Sequence, residues 1–282
     1  MRRAGGAYNA AKGQSGMTAN LTSVRRRLAD NYKRVRDRIE DACARAHRDP
    51  AELTLVAVTK EVEIDIIRQT FEMGLIDLGE SRAQQFNQRA AMVHEFVTRR
   101  QRLGGPADRA QPMPRWHMIG HLQRNKVKLV LPWADLIHSV DSLRLAEEID
   151  KTAEKLGRAA PALLQVNTSG ERSKSGVAVG AVTHVAEQLA QMTGLKLRGL
   201  MTMAPADATP AEIRLYFDRL REVLEDLRTD GTVPRDCTLL SMGMSHDYPI
   251  AIEAGATHVR LGHALFEGIA SAPSPVAADG ET

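Results

Sequence analysis

The sequence predicts an α/β protein, a (β/α)8 TIM barrel with an additional N-terminal helix. Three observations predict it. Eight short apolar runs recur along the 282 residues, most lead into a segment of helical period, and the residue just after nearly every run is polar or a glycine. Apolar runs alternating with amphipathic helices make βαβ units and a parallel sheet. Eight units in one chain favour a closed barrel over an open doubly wound sheet, and about 250 residues is the usual size of such a domain.

Residues 1–19 are rich in Gly, Ala and Ser without periodicity and read as a loose tail. A helical pattern spans Leu21 to Ala46. The apolar runs follow: Leu53–Val58, Leu75–Leu78, Trp116–Ile119, Leu136–Val140, Ala162–Val166, Leu195–Met201, Thr238–Met242 and Thr257–Leu261. Asp141–Leu156 and Ala211–Leu227 show the 3.6-residue period of helices between strands. Leu103–Pro114 carries Gly and Pro signals and reads as a loop. Residues 271–282 read as a second tail, which leaves one domain over residues 20–270.

Composition narrows the function. Hydrophobic residues make up 43% and charged residues 26%, enough for a sizeable core. Aromatic residues are only 4%, which argues against reading bases by stacking. The net charge of +3 demands no nucleic-acid face, and Arg25–Arg27 reads as a solvated helix face. Cys43 and Cys237 lie far apart and suggest neither a disulfide framework nor a zinc knuckle. No apolar segment suits a signal peptide or a membrane span, so a cytoplasmic location is expected. Neither GxGxxG nor a P-loop pattern occurs, which removes the main signal for dinucleotides and nucleoside triphosphates.

In a barrel, chemistry gathers at the C-terminal ends of the strands. Lys60 follows the first run. Its amine either stands against low-dielectric walls, which would ready it for Schiff-base chemistry, or caps a strand at the surface. Ser241-Met242-Gly243-Met244-Ser245 and Arg260-Leu261-Gly262-His263 follow the seventh and eighth runs. Their glycines either present backbone N–H groups to an anion at helix starts or serve as ordinary turns. A strand-end lysine with a phosphate cradle is more specific than either half. His117 and His121 are spaced for a metal only on a helix, and His117 lies in a strand pattern. Lys174 faces a substrate carboxylate or solvent, and Arg124–Lys128 is a solvated helix face or flanks an anion.

With these residues in view, the chain resembles the pyridoxal phosphate (PLP) homeostasis family of YggS/PROSC type over roughly residues 21–268. The resemblance rests on Leu55–Lys60, Gly79–Gln84, Trp116–Lys126, His138–Ser142, Gln165–Asn167, Gly199–Met201, Ser241–Ser245 and Glu253–Gly262. That family is similar to the barrel half of alanine racemases and the N-terminal domain of ornithine decarboxylases. The resemblance implies a fold type III-like barrel with PLP held as an aldimine on Lys60. It implies that Arg260 faces the pyridine nitrogen, as a donor to an unprotonated ring. It places Asn167 and Met201 at the ring, and Ser241, Met242, Gly243, Gly262 and His263 in the cofactor site about the phosphate. It implies no metal and no catalytic residue. Two positions depart from the family pattern: Ser81 where Asn is usual, and His263 where a hydroxyl residue is usual.

The leading expectation is therefore an intracellular PLP-binding homeostasis protein without turnover, whose partners are PLP and PLP-dependent apoenzymes, as a monomer or weak homodimer. The alternatives are a PLP-dependent racemase or decarboxylase, and a sugar-phosphate barrel with an aldolase-type lysine. A racemase of this fold needs an acid/base on the opposite face of the cofactor, and Tyr248 is the one tyrosine near a strand end.

Overall fold

The computed structural model describes the backbone of residues 6–171 and 174–269, and side chains from Thr22 onward. Eight parallel strands line the barrel: β1 (Thr54–Val58), β2 (Asp77–Glu80), β3 (Arg115–Met118), β4 (Ala134–Val140), β5 (Ala160–Asn167), β6 (Leu195–Met201), β7 (Leu239–Ser241) and β8 (His258–Leu261). Each pairs with the next, and β8 returns to β1 with Val56 opposite Arg260, so the sheet closes. A two-residue strand, Val177–Ala178, pairs with the end of β5 outside the barrel.

All eight apolar runs become strands, with ends displaced by a residue or two. The largest difference is β2, which takes in Gly79 and Glu80, both buried. A carboxylate can end a buried parallel strand here because Arg89 meets it, as described below. The stretch expected as a loop at Leu103–Pro114 contains a short helix, α4 (Pro106–Ala110), with Pro106 in its first turn. Proline suits that turn because its missing N–H has no helical partner there.

The outer helices are α1 (Gly6–Arg45), α2 (Ile64–Glu72), α3 (Ala83–Leu103), α5 (Val127–Val130), α6 (Leu143–Lys155), α7 (Val182–Ala190), α8 (Pro210–Thr229), α9 (Tyr248–Glu253) and α10 (His263–Phe266). Helix α8 starts on a capping box in which Thr209 and Glu212 satisfy each other's backbone N–H groups. Helix α1 begins at Gly6, ahead of the expected start near Leu21; of the expected tails, residues 1–5 and 271–282 lie outside the described residues.

Helices α9 and α10, after β7 and β8, have only six and four residues. They are too short to cover their strands, and α1 packs over both. Its buried stripe of Leu28, Val35, Ile39, Ala42 and Cys43 follows helical spacing. Burying each of the larger ones contributes about 1.5–3 kcal/mol. Asn31 Nδ2 adds hydrogen bonds to Leu265 O (2.9 Å) and Glu267 O (3.0 Å). The extra helix thus holds the turn after β8 in place.

Most buried apolar side chains lie between sheet and helices. Inside the barrel a small cluster of Leu136, Leu163 and Met201 fills one side. Strand alternation puts residues i and i+2 on one face, so Leu136 brings His138 inward with it. Elsewhere the interior holds several polar side chains, with His117, His138, Ser241, His258 and Arg260 all buried.

Candidate functional site: the barrel mouth

At the C-terminal ends of the strands opens a cavity of about 590 Å³, within the usual range for small-molecule sites. Its wall includes Lys60 after β1, Arg260 on β8, Gly262 and His263. Four of the nine residues expected at the site therefore meet there.

Lys60 is positioned by a clamp beneath it. Thr59 is buried, and its N–H donates to Gly79 O (2.9 Å) while its hydroxyl donates to Glu80 Oε1 (2.5 Å). Arg89, on α3, donates to Glu80 Oε1 (2.7 Å), Thr59 O (2.7 Å) and Val62 O (2.9 Å). The backbone on both sides of Lys60 is thus tied to one guanidinium. Burial pushes the Glu80 carboxyl up, against the pull of Arg89 and Thr59. The Lys60 side chain itself is 48% exposed, with Glu61 3.7 Å away. The amine therefore lies half exposed at the cavity mouth.

Arg260 is the buried cation of the site. It donates from NH1 to Ser241 Oγ (2.6 Å) and from NH2 to Thr202 O (3.0 Å). Burial pushes its pKa down to about 10, opposed by the Asp247 carboxylate. A guanidinium has five N–H donors, so it carries donors beyond these two bonds at the cavity wall.

The residues of the turn after β7 are divided between the cavity wall and the layer behind it. Ser241, Met242 and Gly243 are buried behind the wall. Ser241 Oγ is engaged by Arg260 and by His138 Nδ1 (2.7 Å). Gly243 has φ +96°, and a Cβ there would sit 2.7 Å from the Ala251 Cβ, so it shapes the turn. What reaches the cavity is Met244, Ser245 and His246. Ser245 Oγ accepts from Ala264 N (3.1 Å), bridging the turns after β7 and β8, and its own hydroxyl hydrogen stays available as a donor. Because α9 and α10 are so short, their dipoles lend little. In the sequence Ser245 is marked only by its place two residues after the turn glycine.

Asn167 and Met201 have other partners. The Asn167 amide donates to Glu171 O (2.9 Å), and its carbonyl accepts from Gly170 N (3.0 Å), holding the loop after β5. Met201 belongs to the apolar cluster within the barrel. Tyr248 is fully buried under α1, with the Arg38 guanidinium 5.1 Å from its ring centre, and is absent from the cavity wall. His117 bonds Asp77 and His138, and His121 lies 3.1 Å from Asp141.

The comparisons with known proteins agree with this fold. Residues 25–269 match the family described as alanine racemase, N-terminal domain. A pyridoxal phosphate homeostasis protein of Aquifex aeolicus is 36% identical over 84% of this chain and 96% of its own length. One from Pseudomonas aeruginosa is 38% identical over 85% and 94%. The structure of PipY from Synechococcus elongatus PCC7942 with PLP bound superposes with a TM-score of 0.70, at 31% identity, covering 85% of this chain and 99% of that one. The chain belongs to the alanine racemase N-terminal-domain family, among its pyridoxal phosphate homeostasis proteins.

Proposed function

We propose that this protein binds PLP through Lys60 and serves PLP homeostasis in the cell, not amino-acid turnover. The observation that carries the reading is the convergence of Lys60 and the buried Arg260 on one mouth, in a chain whose relatives bear that name. PLP supplies an aldehyde that joins an amine with loss of water and a ring that can draw in electrons. The residues present fit such a group. Lys60 offers the amine, held by the Glu80–Arg89 clamp. Arg260 offers donors to an unprotonated ring nitrogen and, being always protonated, keeps that nitrogen from gaining a full charge. Ser245, Gly262 and His263 offer the hydroxyl and turn N–H groups for a phosphate. Asn167, Met201, Ser241, Met242 and Gly243 support these positions from behind.

The absence of turnover is supported by Tyr248, the candidate for an opposite-face base, which lies buried under α1. A half-exposed lysine suits a site that must both load and release its cofactor, and recipient apoenzymes are the natural partners. No helix among the described residues is long and apolar enough to cross a membrane.

The test is PLP titration of the purified protein, followed by borohydride reduction and peptide mapping. The label is expected on Lys60, and Lys60→Ala should abolish the visible absorbance of the attached cofactor. Labelling of another lysine overturns the assignment. Racemase or decarboxylase turnover of about 1 s⁻¹ or more that depends on Lys60 overturns the non-enzymatic reading.

A further inference from the structure

Six side chains, five of them buried, form one line through the barrel from mouth to base. Arg260 NH1 donates to Ser241 Oγ (2.6 Å), and Ser241 Oγ lies 2.7 Å from His138 Nδ1. His138 Nε2 lies 2.9 Å from His117 Nδ1, and His117 Nε2 lies 3.0 Å from Asp77 Oδ1. Asp77 Oδ2 accepts from Arg115 NH2 (2.6 Å), whose side chain is 54% exposed at the base.

One proton arrangement satisfies every contact. Arginine only donates, so Ser241 Oγ accepts from Arg260 and its own hydrogen points to His138 Nδ1. His138 then carries its hydrogen on Nε2 and gives it to His117 Nδ1. His117 in turn carries its hydrogen on Nε2 and gives it to Asp77. Starting from the base leads to the same answer. Hydrogen bonds from His117 and Arg115 hold the Asp77 carboxyl below its usual value despite burial, so it is a carboxylate and only accepts. A second proton on either ring would set two N–H groups against each other or against the serine hydrogen.

The surroundings oppose a second proton on His138. His258 faces both rings, with centroids 6.1 Å from His117 and 5.9 Å from His138, and its Nδ1 lies 3.0 Å from Thr257 Oγ1. At the ends of the line, Asp247 stands near Arg260 and Asp135 near Arg115. Burial, with His117, His258 and Arg260 nearby, pushes His138 well below the ordinary histidine value.

We infer that Arg260, Ser241, His138, His117, Asp77 and Arg115 form a one-way hydrogen-bond relay that turns the Ser241 hydrogen away from the mouth and fixes the pose of Arg260 toward its ligand. Ser241, His138 and His117 are positioning residues, and the relay tunes the ring contact of the proposed cofactor. That last step rests on the functional reading above; the proton arrangement does not.

The test therefore has two arms. Nitrogen-15 histidine NMR of the cofactor-free protein, assigned with His117→Gln and His138→Gln, reads the tautomers. Both rings are expected to carry hydrogen on Nε2 and none on Nδ1 at neutral pH. A hydrogen on Nδ1 of either ring overturns the relay. In the PLP-loaded protein, Ser241→Ala should weaken binding about two- to tenfold, the effect of one lost hydrogen bond, and shift the pH profile of the visible band. Ser241→Thr, which keeps the hydroxyl, should restore both. If the two variants match each other, the positioning role is overturned. Nε2 tautomers together with PLP labelling away from Lys60 would uphold the relay and sink the functional reading alone.

Discussion

The mouth and the axis of this barrel are both polar, and they are polar for different reasons. At the mouth, Lys60, Ser245 and His263 stand at the ends of strands, where backbone turns and solvent already tolerate polar groups. Along the axis, His117, His138 and Ser241 lie inside strands at no more than 3% exposure, so each needs a partner of its own. Function at the mouth depends on what stays available. Order along the axis depends on everything being engaged.

The largest expected effect tests the floor that joins the two regions. Glu80 is fully buried and meets Arg89 at 2.7 Å. Removing one partner leaves an uncompensated charge, so Arg89→Ala should cost about 3–5 kcal/mol in urea unfolding. The double variant Glu80→Leu/Arg89→Met should recover much of that loss while still weakening PLP binding, because the Lys60 turn loses its clamp. A single variant as stable as the parent would mean that the floor does not hold the mouth.

Next in size is the acid response of the axis. His258 is buried, and that desolvation pushes its pKa down to about 3. The unfolded chain takes up that proton near pH 6.5, and the folded core refuses it until about 3. Unfolded protein therefore binds more protons between these values, and stability must rise with pH across the window. His258 should account for about 1 kcal/mol of lost stability between pH 6.5 and 5.5 and about 1.4 kcal/mol per pH unit further down, and His138 acts in the same direction. Urea unfolding at pH 6.5 and 5.5 measures it, and His258→Gln should flatten the slope. An unchanged slope in that variant would assign the acid response elsewhere.

The same contrast explains what the sequence makes legible. Strand-end residues announce themselves, because each stands at or just after the end of an apolar run: Lys60, Arg260, Gly262 and His263 all meet at the cavity. The relay does not, since its members come from β2, β3, β4, β7 and β8 and touch only once the sheet has closed. A signal was present in the polar residues at inward positions of apolar runs, His117 and His138 among them. Ser241 shows the limit of motif reading. It stands next to the turn that shapes the cradle, yet its hydroxyl serves the axis. Arg89 reads as one more charge on a long helix, and only the fold brings it under Lys60.

The smallest effects lie at the rim, and they sharpen the contrast most. Gly262 lies against β1, where a Cβ would come within 3.3 Å of Val58 O, so Gly262→Val should crowd both the turn and an arriving phosphate. His263 has an exposed side chain at the same turn. If Ser245 and turn N–H groups hold the phosphate, His263→Ala should weaken PLP binding by less than about 1.5 kcal/mol, the upper range for one neutral hydrogen bond. A protonated His263 paired with the phosphate would instead give a larger loss, growing as pH falls through the range where histidine gains its charge. PLP titrations of both variants at pH 6 and 8 separate these accounts. A pH-independent loss under about tenfold for His263→Ala, beside a larger one for Gly262→Val, fits a rim that works through backbone and Ser245. Parent-like binding by Gly262→Val would place the phosphate elsewhere in the mouth.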